Sequence, residues 1–348
     1  MAVFEINPLA DVRWSHFAEQ HPNASAFHTC GWLRALRDTY RYRPVVLTTS
    51  PPDYALSNGI VFCEVKSWIT GRRLVSLPFS DHCDALLESP ADAREIFAYL
   101  KERIAHEDIS YVEFRPRGVD TIFRDAPEIS RSSQYLLHTL DLAAPVEEIL
   151  TAMHKDCVQR KIRRSERESL QYSAGRSESL MKHFYRLLLR TRRRHHVPPQ
   201  PLSWFRNLSQ CLGDRLCFHV VWRREEALAS MLTLEFRDTM TYKYGCSDER
   251  YSNLGSTPIL FWNVIERAKR SGKTVMDLGR SDENNPGLIT FKNRLGARSQ
   301  TIQYYRISRG EMKAISIAGG SKTVMRLLAY FPDLVSEATG KILYRHLG

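Results

Sequence analysis

"RLCFHVVWRREEALASMLTLEFRDTMTYKYGC", Arg215 to Cys246, contains three apolar runs rich in β-branched and aromatic residues. They are joined only by the short polar turns "RREE" and "RD", so they predict an antiparallel meander of three strands. The next stretch, "STPILFWNVIERAKRSG", predicts a helix capped by Thr257, with Pro258 at its first position and Gly272 just past its end. A strand "TVMDLG", a short helical segment over 287–295 and a strand "SQTIQYYRIS" follow.

The same order stands earlier in the chain. After a helix "CGWLRALRDTY" come three strand candidates, "RPVVLTT", "GIVFCEVKSW" and "RRLVSLPF". The helix "SPADAREIFAYLKERIAH" opens on a Ser cap and a Pro, and the strands "SYVEFRP" and "YLLHTLDL" close this pass. A helical pair near 145–171 and 178–195 separates the two passes. Three strands, a helix and two strands thus occur twice, which predicts an internal duplication of mixed α/β (α+β) units.

Composition admits this and excludes other classes. The chain has 348 residues, 43% hydrophobic and 26% charged, an ordinary globular mix with length enough for two cores. No apolar run approaches the ~20 residues of a membrane span, and the start "MAVFEINPLADVRW" lacks a signal-peptide layout, so the expected location is the cytoplasm. Seven cysteines without a C-x-x-C pair support neither a disulfide framework nor a zinc site. The formal net charge of +11 is concentrated in "HKDCVQRKIRRSER" (154–167) and "RLLLRTRRRHH" (186–196). That excess points to an anionic partner such as nucleic acid, a phosphorylated sugar or an acidic membrane face.

The order of elements resembles the GNAT acyltransferase fold in tandem. Six stretches also resemble the FemAB/FemX-type non-ribosomal peptidyltransferases, above all the FemAB-like branch associated with exopolysaccharide loci. They are "FHTCGWLRALRDTYRYRPVVL" (27–47), "LPFSDHCDALL" (77–87), "KIRRSERES" (161–169), "HHVPPQPLSWF" (195–205), "YKYGCSDERYSNLGSTPILFW" (242–262) and "DLGRSDENNPGLITFKNRLGA" (277–297). The resemblance implies two GNAT-like lobes packed around a shared cleft: 1–143 on the acceptor side, 144–312 on the donor side with the transfer chemistry, and a helical tail over 313–348. It implies transfer of an aminoacyl or acyl group to an amine of a cell-envelope polysaccharide or peptidoglycan-type precursor. No tightly bound cofactor is expected, and the donor is open between aminoacyl-tRNA and acyl-CoA. The expected partners are an anionic small molecule or a lipid- or nucleotide-linked sugar precursor, with tRNA as the candidate polyanion.

Amide formation gathers negative charge on a carbonyl oxygen, so a fixed cation aimed there lowers the barrier. Lys292, in "FKNRLG", matches the family's active-site lysine; the alternative is a lysine whose stem packs while its head reaches water. Arg280, at the strand end "DLGR", is a candidate for a substrate phosphate or carboxylate, or else for an ion pair with Asp277 or Asp282. Tyr244 is a candidate proton donor to the leaving group, with core packing as the alternative and Tyr242 as its competitor. Gly255 is a candidate anion contact at a helix N-terminus. Arg250 stands upstream of it, but the spacing and second glycine of the CoA loop Arg/Gln-x-x-Gly-x-Gly/Ala read as missing, which favours a non-CoA donor.

In the first half Trp32, Arg34 and Arg37 match where the family holds a precursor's phosphates. Asp81 is a candidate base or sugar contact, beside His82. Arg115 replaces an acid of the family pattern and Gln200 an arginine, while Trp204 is placed to wall a sugar site. Two non-enzymatic readings stay open: an RNA-binding module using the basic runs, and a peripheral adaptor whose tail, "KTVMRLLAYFPDLVSEATGKILYRHLG", either lies on a membrane surface or docks on the core.

Overall fold

The computed structural model describes residues 2–68, 71–118, 121–309 and 343–346. The chain forms two compact units that are not contiguous in sequence: Met1–Tyr135 with Thr301–Gly319 and Gly340–Gly348, and Leu136–Gln300 with Gly320–Thr339.

The first unit holds β1 (Phe4–Ile6), α1 (Val12–Gln20), α2 (Cys30–Tyr40), β2 (Arg43–Thr48), β3 (Ile60–Ser67), β4 (Gly71–Val75), α3 (Pro90–His106), β5 (Tyr111–Phe114), α4 (Thr121–Arg124) and the start of β6 (Ser130–Asp141). The strands β2, β3 and β4 are antiparallel, and α3 then crosses over to bring β5 parallel to β4. Ser89 caps α3 through the Asp92 N–H at 3.2 Å, with Pro90 next, as the sequence predicts. The apolar face of α3 (Ile96, Phe97, Leu100) packs on Val45, Phe62, Leu74 and Phe114. The Phe97 and Phe62 rings meet Phe114 edge-on at 5.4 and 5.5 Å. Each buried ring contributes about 1.5–3 kcal/mol over its exposed state.

The second unit holds α5 (Val146–Ala152), a π-turn at Lys155–Gln159, α6 (Arg160–Arg167), β7 (Gln171–Gly175), α7 (Glu178–Arg194), α8 (Leu202–Leu212), β8 (Leu216–Arg223), β9 (Glu226–Phe236), β10 (Thr239–Ser247), α9 (Ser256–Arg270), β11 (Val275–Ser281) and α10 (Pro286–Arg294). The meander β8-β9-β10 is antiparallel, and α9 crosses over to put β11 parallel to β10. The two-residue turns that join these strands are carried by Arg224 and Arg237, both at positive φ (55° and 50°). One face of this sheet packs on α5, α6 and α9 through Met231, Met240, Met276, Leu140, Phe261 and Ile265. The other face meets α7 and α8, where Phe184 contacts Phe205 and Phe218 at 5.1 and 5.3 Å.

The order of elements therefore repeats, with one difference from the sequence reading. The strand "YLLHTLDL" does not close its own pass: residues 136–141 of β6 pair antiparallel with β11 of the second unit. Conversely β12 (Arg298–Ser308) pairs through Tyr305–Ser308 with β5 of the first. Packing accounts for this: Leu140 of β6 belongs to the core around Met276 and Phe261, and Tyr305 of β12 to the core around Phe114.

Of the expected tail, only Leu343–His346 lies within the described residues, as one helical turn. It is docked on the first unit. Tyr42 Oη donates to the Tyr344 carbonyl at 2.5 Å, the Arg73 guanidinium to the His346 carbonyl at 2.8 Å, and Trp68 Nε1 to His346 Nε2 at 3.0 Å. Among the described residues no helix is long and apolar enough to cross a membrane.

Candidate active site

In the second unit β10 and β11 pair over only three residues each, Thr239–Thr241 against Val275–Asp277. Both strands continue beyond, β10 against β9 and β11 against β6, so a gap opens between them. Each strand is bulged where the gap begins.

In β10 the register slips between Tyr242 and Tyr244, leaving Lys243 as the extra residue. A strict period of two would put both tyrosines on one face, and the extra residue puts them on opposite faces. Tyr242 packs on Phe261 of α9 at 5.1 Å, and Tyr244 on Phe205 of α8 at 5.3 Å. The Trp204 indole N–H donates to Tyr244 Oη at 3.0 Å, so two residues singled out from the sequence form one buried pair. The Lys243 ammonium lies 5.5 Å from the Tyr244 ring centroid. Tyr242 reaches back over Gly245, where any Cβ would overlap its phenol.

In β11 the slip falls between Asp277 and Arg280. Gly279 takes φ 70°, a conformation that favours glycine, and its N–H donates to Asp277 Oδ1 at 2.7 Å. Lys292 of α10 donates to the Gly279 and Arg280 carbonyls at 2.8 and 3.0 Å. With 3% exposure, its head is turned onto the bulge rather than out to water. Carbonyls that a bulge takes out of the ladder need a donor, and a lysine of this length supplies it.

Arg280 stands opposite Leu137, on the sheet face away from His138 and α10. Lys292 thus approaches the gap from the α10 side, while Arg280 and Tyr244 belong to the α8 side. The three residues share a gap but not a face.

Two further groups on the α10 side had no place in the sequence reading. His138, on the same face of β6 as Leu140, is 0% exposed, and among the described residues neither ring nitrogen makes a well-formed hydrogen bond, the Asn293 side chain being only a weak partner. Burial, and then the charge of Lys292, push its pKa down to about 4 against a weaker opposing pull from the Asn293 side chain, so the ring is neutral near pH 7. Ser281 stands opposite Leu136 and so shares this face; it is buried, and its Oγ has no partner. The signal for His138 was a histidine at an inward position of an apolar strand.

The start of α9 differs from expectation. A 3₁₀ turn over Glu249–Leu254 leads straight into the helix, which begins at Ser256 with Gly255 as its N-cap at φ 80° and no side-chain cap bond. Thr257 is therefore inside the helix rather than its cap. Counted from Arg250, Gly255 does fall at the last glycine of the CoA loop, and Asn253 replaces the first. A Cβ at Gly255 would overlap the Lys161 carbonyl oxygen of α6. That glycine serves a backbone contact within the chain, and an acceptor rather than a donor stands beside it. Gly255→Ala, which combines this overlap with a left-handed φ, is expected to destabilise the second unit by about 3 kcal/mol or more, read as a lower denaturation midpoint. The Arg250 guanidinium is held on Asp248, whose pKa falls to about 2 mainly through that hydrogen bond.

The basic runs are partly neutralised within the chain, through Arg160–Asp156, Arg164–Glu168, Arg190–Asp248 and Arg194–Glu249. Arg163 and Arg167 are exposed on α6.

In the first unit, Trp32 is fully buried edge-on to Phe27 at 4.9 Å. Arg34 and Arg37 lie on the exposed side of α2, Arg37 against Asp38 at 2.7 Å, so this trio is not brought together. Asp81 is half-buried, and its carbonyl accepts from Tyr304 Oη at 2.7 Å. His82 is buried against Phe27. Arg115 binds Glu113 at 2.8 Å and the Leu77 carbonyl at 2.6 Å. Burial alone would raise the Glu113 pKa, but Arg115 and Arg306 together hold it below its usual range. Arg115 is thus a partner of the chain's own buried acid. Among the described residues no group of His, Cys, Asp and Glu side chains is arranged to hold a metal ion.

The family model that matches is that of the acetyltransferase (GNAT) domain, over residues 154–292, from the π-turn to Lys292. Among solved structures, FemX is 12% identical with a TM-score of 0.65, covering 87% of this chain and 97% of its own. L-PGS from Bacillus licheniformis is 12% identical with a TM-score of 0.54, covering 93% and 96%. A tandem GNAT protein from the clavulanic acid biosynthesis pathway is 13% identical with a TM-score of 0.54, covering 90% and 99%. No curated protein sequence matches at a significant level.

Proposed function

From a chain that has the FemX-like tandem GNAT fold, with a GNAT domain at residues 154–292, we propose a transferase that moves an aminoacyl or acyl group onto an amine of a cell-envelope precursor. The observation that carries this reading is the gap between β10 and β11. There two strands stop pairing while both continue, each with a bulge at the opening, and a buried lysine holds the β11 side. Strand ends left unpaired at a parallel crossover offer backbone donors to an acyl carbonyl, and a nearby ammonium favours charge on its oxygen.

The donor we favour is aminoacyl-tRNA. An anion at the α9 N-terminus would meet the Lys161 carbonyl rather than an open cradle, and Arg250 is engaged by Asp248. The exposed arginines of α6 suit a larger polyanion. A second reading, an acyl-CoA N-acyltransferase on the same fold, draws support from the five-residue spacing of Arg250 and Gly255.

Isothermal titration separates them. Acetyl-CoA and free CoA are expected to bind more weakly than about 1 mM, while alanyl-tRNA binds with an affinity that falls steeply with salt. Micromolar binding of acetyl-CoA would make the second reading the correct one. Salt-dependent RNA binding without transfer to any amine would leave only a binding module.

A further inference from the structure

The α10 side of the gap gathers polar groups that the chain itself leaves unused. Among the described residues His138 is fully buried with no well-formed hydrogen bond at either ring nitrogen, only a weak pull from the Asn293 side chain, and the Ser281 hydroxyl is buried and unpartnered on the same sheet face. Lys292, whose charge acts on His138, is itself buried beside both strands. Buried polar atoms without partners are rare because each forfeits its hydration with nothing in return, and two residues in that state on one sheet face imply a ligand that satisfies them. The groups also specify its chemistry. Ser281 offers an O–H, a neutral His138 offers one N–H and one acceptor nitrogen, and Lys292 supplies positive charge. A cationic group is repelled there, and an oxygen that accepts hydrogen bonds is welcomed.

We propose that His138 and Ser281 are substrate-contacting residues that, with Lys292, form the pocket for the acyl carbonyl oxygen of the donor. This rests on the transferase reading of the gap. In the reaction the amine lone pair forms the new C–N bond while the carbonyl π pair moves onto the oxygen, which the Ser281 hydroxyl and the His138 N–H hold. Return of that pair breaks the bond to the donor's oxygen or sulfur. The leaving atom departs with the bonding electrons and takes up the proton that the amine loses.

Hydroxylamine serves as a generic amine in the test, with alanyl-tRNA and acetyl-CoA as donors and hydroxamate as the product. His138→Leu and Ser281→Ala remove these atoms while taking no well-formed hydrogen bond from the chain. Both variants are expected to melt no lower than wild type, His138→Leu about 2–4 °C higher, because an apolar group replaces an unsatisfied one. Hydroxamate formation is expected to fall about 100-fold in His138→Leu and about 10-fold in Ser281→Ala, with His138→Asn recovering part of the loss through its own N–H donor. Variants that keep wild-type rates overturn the assignment. So does a lower melting temperature, which would show that the two side chains are satisfied inside the protein. Wild-type protein inert with both donors removes the transferase reading and this one with it. Active wild type with unaffected variants removes this one alone.

Discussion

Lys292→Met is expected to lower kcat/KM by about two to three orders of magnitude, most of it in kcat, the range seen when one charge-stabilising group is lost. A lysine whose head reached water could be replaced without harm to folding, but the structure gives Lys292 a second task. The ammonium holds the Gly279 and Arg280 carbonyls, and methionine leaves both without this donor, at about 1–3 kcal/mol each. The bulge they belong to fixes the course of β11 beside the gap, so stability and rate should fall together. Measuring kcat per folded molecule, at a temperature where the variant's circular dichroism matches wild type, separates the two. A destabilised variant with an unchanged rate would reduce Lys292 to a clip for the bulge. Loss of rate at full folding supports a role in charge stabilisation.

Acid is expected to unfold the second unit before the first. His138 and His219 of that unit are buried and neutral, with pKa values pushed down to about 4 and about 3, chiefly by burial. His28 of the first unit is lowered to about 4 for the same reason. In the unfolded chain each takes up a proton near pH 6.5, which the folded form refuses until much lower pH. The stabilisation is therefore complete above pH 6.5 and is lost as pH falls toward 4. Two such groups remove about 2.7 kcal/mol per pH unit once both are protonated in the unfolded chain, and one group about half of that. Urea unfolding between pH 7 and 4.5, with near-ultraviolet circular dichroism reporting both units, should resolve into two transitions, the acid-sensitive one lost in His219→Gln. A single transition with a flat pH dependence would show that these imidazoles reach solvent and take up protons in the folded chain.

The meander from Arg215 to Cys246 was legible because its apolar runs are long and its turns are short and polar, so periodicity and punctuation agree. The parallel crossovers follow from helices of the right length placed between strands. The bulges were not legible. A single extra residue at Lys243 leaves the composition of the strand unchanged, yet it decides that Tyr242 and Tyr244 serve different faces. The same one-residue slip in β11 sends Arg280 away from Lys292. The pairing of Trp204 with Tyr244 spans 40 residues and depends on how α8 lies against β10, which no local pattern encodes. Gly255 was read by analogy with an anion loop, whereas its requirement comes from the backbone of Lys161. Burial of His138 was hidden for a different reason: its strand was assigned to the wrong half of the duplication.

The strand exchange that hid His138 also sets a timetable for synthesis. β5 emerges from the ribosome with β4 on one side and nothing on the other, because its second neighbour, β12, is encoded some two hundred residues later. At about 5–20 residues per second, that edge stays open for roughly 10–40 s in each nascent chain. The strands β6 to β11, which are contiguous in sequence, are all synthesised while the first unit still waits for β12. Glu113 in this strand has Arg115 beside it from the start and gains Arg306 only with β12, and charged residues on an open edge discourage pairing with another copy. The acid that anchors the finished sheet is thus also part of its guard during translation, and β5 at the N-terminal end gains its second neighbour only with β12.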